Sequence, residues 1–543
     1  MTRDARWYAA LTAVLGGLAA GLAHPPFGVL PGLLGFALIL LRIETEGPRP
    51  VRAAFFRGWL AGVGYFGIST WWIAEPLLVE PELHGWMAPF AVVLMAGGLA
   101  LFWGAAAAVY RKIRPQSAWR VLVFAGVFAG FEWLRGHVLT GFPWNLPGEA
   151  WRAGTPPSQA AALVGAYGLT WITLAIAAAP ALLMLPVRRV AQVAAVAAAG
   201  VALIALYAGG AGRLAAAGPR LKAAEGAPLI RVVQANIDQK EKWRPENLEA
   251  IVRSYESLTR TPAAVRPDIV IWPEGALPAV IDELIAADSP YAARLRDVVQ
   301  PGQLLLMGAN RVEAKPTIVA PPMAGAGPPP PLEVRYYNTL IAFRRDASAL
   351  RVVSVYDKHH LVPFGEYLPL GDVAGRIGVR SLVHMPEDFT AGERPTPIYA
   401  PGLPPVQPLI CYEALFPALA ATRTRPAWIL NISNDAWFGQ TSGPLQHLNI
   451  ASYRAIEQGL PMVRATPTGV SAVIDAHGRI LPRARLGLGA YGVIDARLPR
   501  ALPPTFYSRY GDTGLALLLG LLLAAWAAGR RRRPGSSPPL VGT

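Results

Sequence analysis

Three short segments hold residue types that together suit acyl transfer. Ile271-Trp272-Pro273-Glu274-Gly275 sets a carboxylate just beyond a buried strand. The run from Tyr356 to Tyr367 sets Lys358 after a second strand and Glu366 on the turn that follows. Leu409-Ile410-Cys411-Tyr412-Glu413 sets the chain's only cysteine where a strand gives way to a helix. A thiol is a weak nucleophile until a base takes its proton, and attack on an acyl carbonyl creates an oxyanion that needs positive charge or N–H donors. Glu274 suits the base. Lys358, with backbone amides after Cys411, suits the oxyanion. Glu366 and Glu413 suit the task of holding Lys358 charged and oriented. A helix starting just after Cys411 favours the thiolate. Taken singly, each residue also has a plain reading: a cysteine after an apolar strand is commonly core, and a Glu or Lys at a strand end is commonly a solvated loop charge.

The same residues limit the alternatives. One cysteine excludes an intramolecular disulfide and a multi-cysteine metal site. His359 and His360 are neighbours in sequence and read as turn residues, and His447 has no partner at metal spacing. No metal and no other cofactor is expected.

The elements that position these residues fall into two kinds. Hydrophobic residues make up 53% of the 543 residues and charged residues 16%, against about 25% charged in ordinary soluble proteins. The apolar excess sits in stretches near 7–23, 29–41, 55–73, 87–109, 121–133, 163–185, 190–208 and 513–528. A spanning helix needs about 20 largely apolar residues, so about eight transmembrane helices are expected. The net charge of +15 falls largely in alternate short loops and in Arg530 to Arg533, as membrane topology demands. It therefore does not point to nucleic acid. The alternation puts both termini in the cytoplasm and residues 213–510 on the outer face. Glu132 and Arg135 fall at the end of the fifth stretch, either as a structural ion pair or as functional charges. Trp71 and Trp72 read as an interfacial belt.

Residues 213–510 alternate short β-rich runs with helical patterns. Strands are expected near 229–237, 267–272, 303–309, 338–343, 352–356, 406–410, 427–432 and 470–474. Helices are expected near 246–260, 291–299, 413–421 and 445–458. This is a layered α/β pattern. The run 315–332, rich in Pro, Ala and Gly, reads as a surface loop. The resulting division is a membrane domain of seven helices over 1–212, an outer α/β catalytic domain over 213–510, a final spanning helix over 511–529 and a basic cytoplasmic tail over 530–543.

In order, Glu274, Lys358 and Cys411 resemble the Glu–Lys–Cys triad of the nitrilase superfamily, which implies a four-layer α-β-β-α sandwich. Finer motifs resemble one membrane-embedded branch, the apolipoprotein N-acyltransferases. They are Trp-Pro-Glu at 272–274, Lys-His-His-Leu-Val-Pro-Phe-Gly-Glu-Tyr at 358–367, Cys-Tyr-Glu at 411–413, Asn-Asp-Ala-Trp-Phe-Gly at 434–439, Gly-Pro-Leu-Gln-His at 443–447 and Thr-Gly-Phe-Pro-Trp-Asn at 140–145. Ala235, Gly275 and Pro467 depart from the usual pattern and bear on local loop shape.

The resemblance implies a ping-pong reaction in the inner membrane. Cys411 takes a fatty acyl group from a phospholipid, usually phosphatidylethanolamine, as a thioester. The amine of an S-diacylglyceryl-cysteine at a lipoprotein N-terminus then accepts it, completing lipoprotein maturation. By the family's pattern Glu274 is base and later proton donor, and Lys358 stabilises the oxyanions. Glu366, Tyr412, Glu413 and Trp243 support the site, Trp243 from a mobile substrate-side loop. Two other readings remain: a membrane-tethered amidase or nitrilase that hydrolyses a C–N bond, and a scaffold or transporter carrying a decayed domain. The decayed domain requires a lost triad position, and all three are present.

Overall fold

A computed structural model describes residues 3–218, 223, 226–316, 332–369 and 388–531. Helices occupy all eight apolar stretches: Arg3–Gly21, Gly35–Glu44, Pro50–Thr70, Ala88–Ile113, Arg120–Arg135, Ala161–Ala178, Arg189–Ala217 and Thr513–Arg531. Among the described residues, three helical segments are long and apolar enough to cross a membrane, Pro81–Ile113, Pro157–Met184 and Arg189–Ala217. Trp7–Gly21 and Thr513–Ala528 are shorter apolar helices. Small residues bring the first helices together. A Cβ at Gly17 would lie 1.8 Å from the carbonyl oxygen of Ala61, so helices Arg3–Gly21 and Pro50–Thr70 meet backbone to backbone.

The α/β part contains two six-stranded sheets. The first holds β1 (Leu229–Gln234), β2 (Ile269–Trp272), β3 (Leu304–Pro316), β4 (Leu332–Arg345) and β5 (Leu350–Asp357). The second holds β6 (Ile398–Ala400), β7 (Leu403–Ile410), β8 (Trp428–Ile432), β9 (Met462–Ala465), β10 (Ser471–Ile474) and β11 (Ile480–Leu486). The last strand, β12 (Gly492–Arg497), returns to the first sheet beside β1, giving the order β12-β1-β2-β3-β4-β5 against β11-β10-β9-β8-β7-β6. Each sheet contains three neighbouring strands that run parallel, β1-β2-β3 and β7-β8-β9.

Side chains alternate across each strand. Val232, Ile271 and Leu306 face inward to meet Val406, Ile410 and Leu430 of the second sheet. Their neighbours Val233, Val270 and Leu305 face outward onto helix Leu248–Thr259, through Ile251 and Tyr255. Leu409, Ile429 and Met462 face outward onto Ala451 and Ala455 of helix Gly443–Gln458. The result is the expected α-β-β-α sandwich. The outer side of helix Gly443–Gln458 is also covered, because it lies against the membrane-embedded part. Tyr453 donates its hydroxyl to the carbonyls of Gly148 (3.0 Å) and Trp151 (2.5 Å). Asn449 donates to the Glu149 carbonyl at 2.8 Å, and Glu457 accepts from the Ala166 amide at 2.9 Å.

Two expectations need correction. No regular helix covers 413–421. A 3-10 turn over Cys411–Leu415 is followed by the short helix Pro417–Ala420. Pro417 lacks an N–H and forces Phe416 into extended backbone (φ −97°, ψ 111°), which stops a helix from running through. The β3–β4 hairpin is longer than the strands expected near 303–309 and 338–343, pairing thirteen residues from Leu304↔Arg344 to Pro316↔Leu332. Of the expected loop at 315–332, positions 317–331 lie outside the described residues, as do 532–543 of the tail.

Candidate active site

The carboxyl ends of β2, β5 and β7 converge between the two sheets. Each delivers one of the three residues singled out above. Glu274 follows β2, Lys358 follows β5 and Cys411 follows β7. All three are buried, Lys358 at 1% exposure, Glu274 at 7% and Cys411 at 9%.

Glu274 is fixed through both oxygens. Its Oε1 lies 3.4 Å from Lys358 Nζ and accepts from Asn338 Nδ2 at 2.7 Å. Its Oε2 accepts from the Asn434 amide at 2.6 Å. Lys358 Nζ donates to Glu366 Oε1 at 2.9 Å, and Asn338 Nδ2 reaches the same oxygen at 2.7 Å. Glu366 Oε2 accepts from the Val362 amide at 2.8 Å, which closes the turn carrying both residues. Burial pulls the Lys358 ammonium toward its neutral form, but the Glu366 and Glu274 carboxylates outweigh it and hold the pKa above the ordinary lysine value. The lysine is therefore a fixed cation.

Cys411 sits at the sharpest point of its segment, with φ +49°. This is backbone that few non-glycine residues adopt and that clusters at functional sites. Burial pushes the thiol above its usual range and the Glu274 carboxylate adds to that. The Lys358 charge and a bond from Ser433 oppose it without prevailing. The resting group is thus a thiol. The thiolate expected from a helix N-terminus is not supported, because a single 3-10 turn follows Cys411.

Glu413 interacts with Lys358 through charge, while its direct hydrogen bonds go elsewhere. Its Oε1 accepts from the His359 amide (2.8 Å), the His360 amide (3.2 Å) and the Tyr356 hydroxyl (2.9 Å), and its Oε2 from the Ile410 amide (2.7 Å). It ties the lysine turn to the cysteine turn through backbone. Behind Cys411, His447 places Nε2 3.2 Å from the Cys411 carbonyl and Nδ1 3.0 Å from Asp435. Asp435 also accepts from Arg464 at 2.6 Å and from Ser433 at 2.7 Å. His447 is thus a brace for the cysteine backbone. His359 and His360 are turn residues as expected, bonded to the carbonyls of Gly392 and Thr140 at 2.9 Å each.

The membrane-embedded part reaches the site through residues 136–145. Glu132 and Arg135 form a fully buried ion pair. Trp103 Nε1 donates to Glu132 at 2.7 Å, and Arg135 donates to the Phe142 carbonyl. The Gly141 carbonyl in turn accepts from the Tyr412 hydroxyl at 2.5 Å. The pair therefore anchors the segment that fixes the neighbour of Cys411. Trp144 and Trp72 both donate to Gln446 Oε1, at 2.8 and 3.2 Å, with their rings 4.4 Å apart. Trp72 is buried in that cluster, so it does not belong to an exposed belt.

Trp243 lies partly buried at the end of the short helix Gln239–Lys242, its ring 5.5 Å from Lys242 Nζ. Asn338 and Arg464 lie outside every motif quoted above, and the motif at 434–439 gives Asn434 and Asp435 no role of their own. Their types are common in strands and turns, and their task comes from long-range contacts. Among the described residues no cluster of His, Cys, Asp or Glu suits a metal ion.

Two family models match the chain. Residues 16–179 match the apolipoprotein N-acyltransferase N-terminal domain, and residues 229–502 match carbon-nitrogen hydrolase. The chain is 54% identical over 520 residues to an apolipoprotein N-acyltransferase of Caulobacter vibrioides, covering 95% of this chain and 94% of that one. A relative of the same name from Bradyrhizobium diazoefficiens is 39% identical, with 97% and 95% covered. Among solved structures, an amidase from Nesterenkonia sp. aligns with 55% of this chain and 98% of its own, at 19% identity and a TM-score of 0.32.

Proposed function

The chain belongs to the apolipoprotein N-acyltransferase family, and we propose that it works by a two-step transfer run by Glu274, Lys358 and Cys411. It moves a fatty acyl group from a phospholipid to the N-terminal amine of S-diacylglyceryl-cysteine in lipoproteins. In the first step Glu274 takes the Cys411 proton as Sγ attacks the phospholipid's ester carbonyl. Lys358 and the backbone amides after Cys411 face the oxyanion. Collapse breaks the ester C–O bond, Glu274 returns the proton to the departing oxygen, and a lysophospholipid leaves behind a thioester. In the second step the acceptor amine attacks the thioester, Glu274 takes a proton from its nitrogen, and Sγ leaves and is reprotonated.

One observation carries this reading. The Glu274 carboxylate and the Lys358 ammonium are locked 3.4 Å apart, and both act electrostatically on the Cys411 thiol. A thiol kept protonated and buried reacts only when substrate arrives with the base in place, which suits a thioester that must be shielded from water. Phosphatidylethanolamine suits the donor role. Tyr412, Glu413, Glu366 and Trp243 support the site.

The surroundings fit lipid substrates. Phe364 and Leu139 are 55% and 90% exposed, on adjoining segments linked by the His360–Thr140 bond, and form an apolar lip for acyl chains. We read the membrane part as eight spanning helices, seven within 1–212 and one over 511–529. The charge alternation supports a cytoplasmic tail over 530–543 and a catalytic domain over 213–510 on the periplasmic side of the inner membrane.

The test is transfer from phosphatidylethanolamine to a diacylglyceryl-cysteine peptide in detergent. Cys411→Ala, Glu274→Ala and Lys358→Ala are each expected to abolish it while inserting normally in the membrane. Wild-type-like transfer by any of them contradicts the triad. Release of ammonia from small amides instead of transfer favours the tethered amidase.

A further inference from the structure

A second group of polar side chains adjoins Glu274, and the two-step transfer leaves it without a task. The short helix Gln239–Lys242 presents Gln239 and Lys242 three residues apart, on one face. Lys242 is 2% exposed. Its Nζ rests against Gly275, 3.3 Å from where a Cβ would stand, and it has no hydrogen-bond acceptor among the described residues. Gln239 is 4% exposed. Its Oε1 accepts from Asn434 Nδ2 at 3.2 Å, while its Nε2 has no partner. Asn434 is 6% exposed. Its amide holds Glu274 at 2.6 Å, while its side-chain Oδ1 has no partner.

Two unpaired polar atoms on one buried wall carry a desolvation cost that a ligand would remove. One of them, Gln239 Nε2, is a donor, and beside them stands the Lys242 ammonium, a cation over the Trp243 ring. Burial holds the Lys242 pKa down to about 8 against the upward pull of Glu274, so this ammonium gains from an anion. The acyl donor has one obligatory anion, the phosphodiester, a few bonds from the ester carbonyl that must reach Cys411. We propose that Lys242 Nζ and Gln239 Nε2 bind the phosphodiester of the phospholipid donor, leaving Asn434 Oδ1 to accept from the headgroup. This rests on the acyl-transfer reading above. Gly275 belongs to the same device, because a side chain there would crowd Nζ.

The diacylglyceryl-cysteine acceptor carries no phosphate, so the subsite acts in the first half-reaction only. Thioester formation on Cys411 is measured with phosphatidylethanolamine and with a phosphate-free long-chain nitrophenyl ester, in wild type, Lys242→Met and Lys242→Arg. Gln239→Ala serves as a milder second variant. For Lys242→Met, the loss of kcat/KM on the phospholipid is expected to exceed the loss on the nitrophenyl ester by tenfold or more, mostly in KM. Lys242→Arg is expected to recover part of it, and Gln239→Ala to show the same asymmetry more weakly. Equal losses on the two donors would mean that Lys242 acts through Glu274, and would overturn the subsite. So would no loss on either donor. A wild type that forms no thioester from the phospholipid, or from either donor, would instead sink the acyl-transfer reading.

Discussion

Cys411 is held as a buried thiol by its own site, and this sets when it can react. Burial and the Glu274 carboxylate both favour the protonated form. The sign is plain: a thiol pKa above its ordinary 9.0 leaves little thiolate at neutral pH, and that fraction still climbs beyond pH 9. Alkylation of the free enzyme by iodoacetamide should therefore be much slower than that of a model thiol, with no plateau below pH 9. A plateau near pH 6 to 7 would show a preformed thiolate and contradict this. Asn338 offers a second check. Its single Nδ2 bridges Glu274 and Glu366 at 2.7 Å each. Asn338→Ala removes the bridge and is expected to lower transfer roughly ten- to a hundredfold, at about 1.5–3 kcal/mol for hydrogen bonds to a charged group. Unchanged transfer would assign that wall to Lys358 alone. That Glu274, Lys358 and Cys411 stand at strand ends was legible in the sequence, because each lies in a local motif just past an apolar run. Asn338 was not, since nothing near it in sequence shows that two distant carboxylates need one amide.

At the scale of elements, the 136–145 segment links an ion pair among the helices to Tyr412, the residue beside Cys411. Arg135 bonds Glu132 and the Phe142 carbonyl, and Gly141 accepts from Tyr412. Arg135→Met strands a buried carboxylate and should cost about 3–5 kcal/mol, read as a fall in Tm in detergent. Adding Glu132→Gln removes that stranded charge and should restore most of the Tm. Activity should stay low in the double variant, because the Phe142 anchor is still missing. Full activity in the double variant would make the pair a stability element alone. The sequence left these two readings open, since an i, i+3 pair at a helix end looks the same in either case. Two of the strands that were not expected are ones in which polar or proline residues break the apolar run. β9 carries Arg464 mid-strand, and β11 carries Pro482, Arg483 and Arg485. Both find partners only in the sheet.

Over the whole molecule, helix Gly443–Gln458 joins the two parts, touching the second sheet on one side and the membrane-embedded part on the other. Arg454 lies at the centre of the joint. It donates to Glu457 and to the Leu415 carbonyl, and lies 3.7 Å from Glu149 of the membrane-embedded part. Arg454→Met removes the nearest counter-charge of Glu457 and Glu149. Burial already pushes both toward their neutral acids, at about 8 for Glu149 and about 7 for Glu457, so the cost should fall below the scale of about 3–5 kcal/mol for a broken fully charged pair. The expected result is a lower Tm together with faster proteolysis between the two parts. A Tm within a degree of wild type would show that other contacts carry the joint. The two-part organisation was legible because apolar stretches and β-rich runs separate cleanly along the chain. The joint was not, since a helix buried on both faces looks in sequence like one packed only on its own sheet.

The central claim is a covalent acyl group on Cys411. Intact mass of the purified protein after incubation with phosphatidylethanolamine tests it most directly, with Cys411→Ser as control. A hydroxylamine-labile adduct of one fatty acyl mass, mapped to the peptide containing Cys411 and absent from the control, is the predicted result. Transfer to a diacylglyceryl-cysteine peptide without any such adduct would contradict the thioester and require direct attack of the amine on the phospholipid.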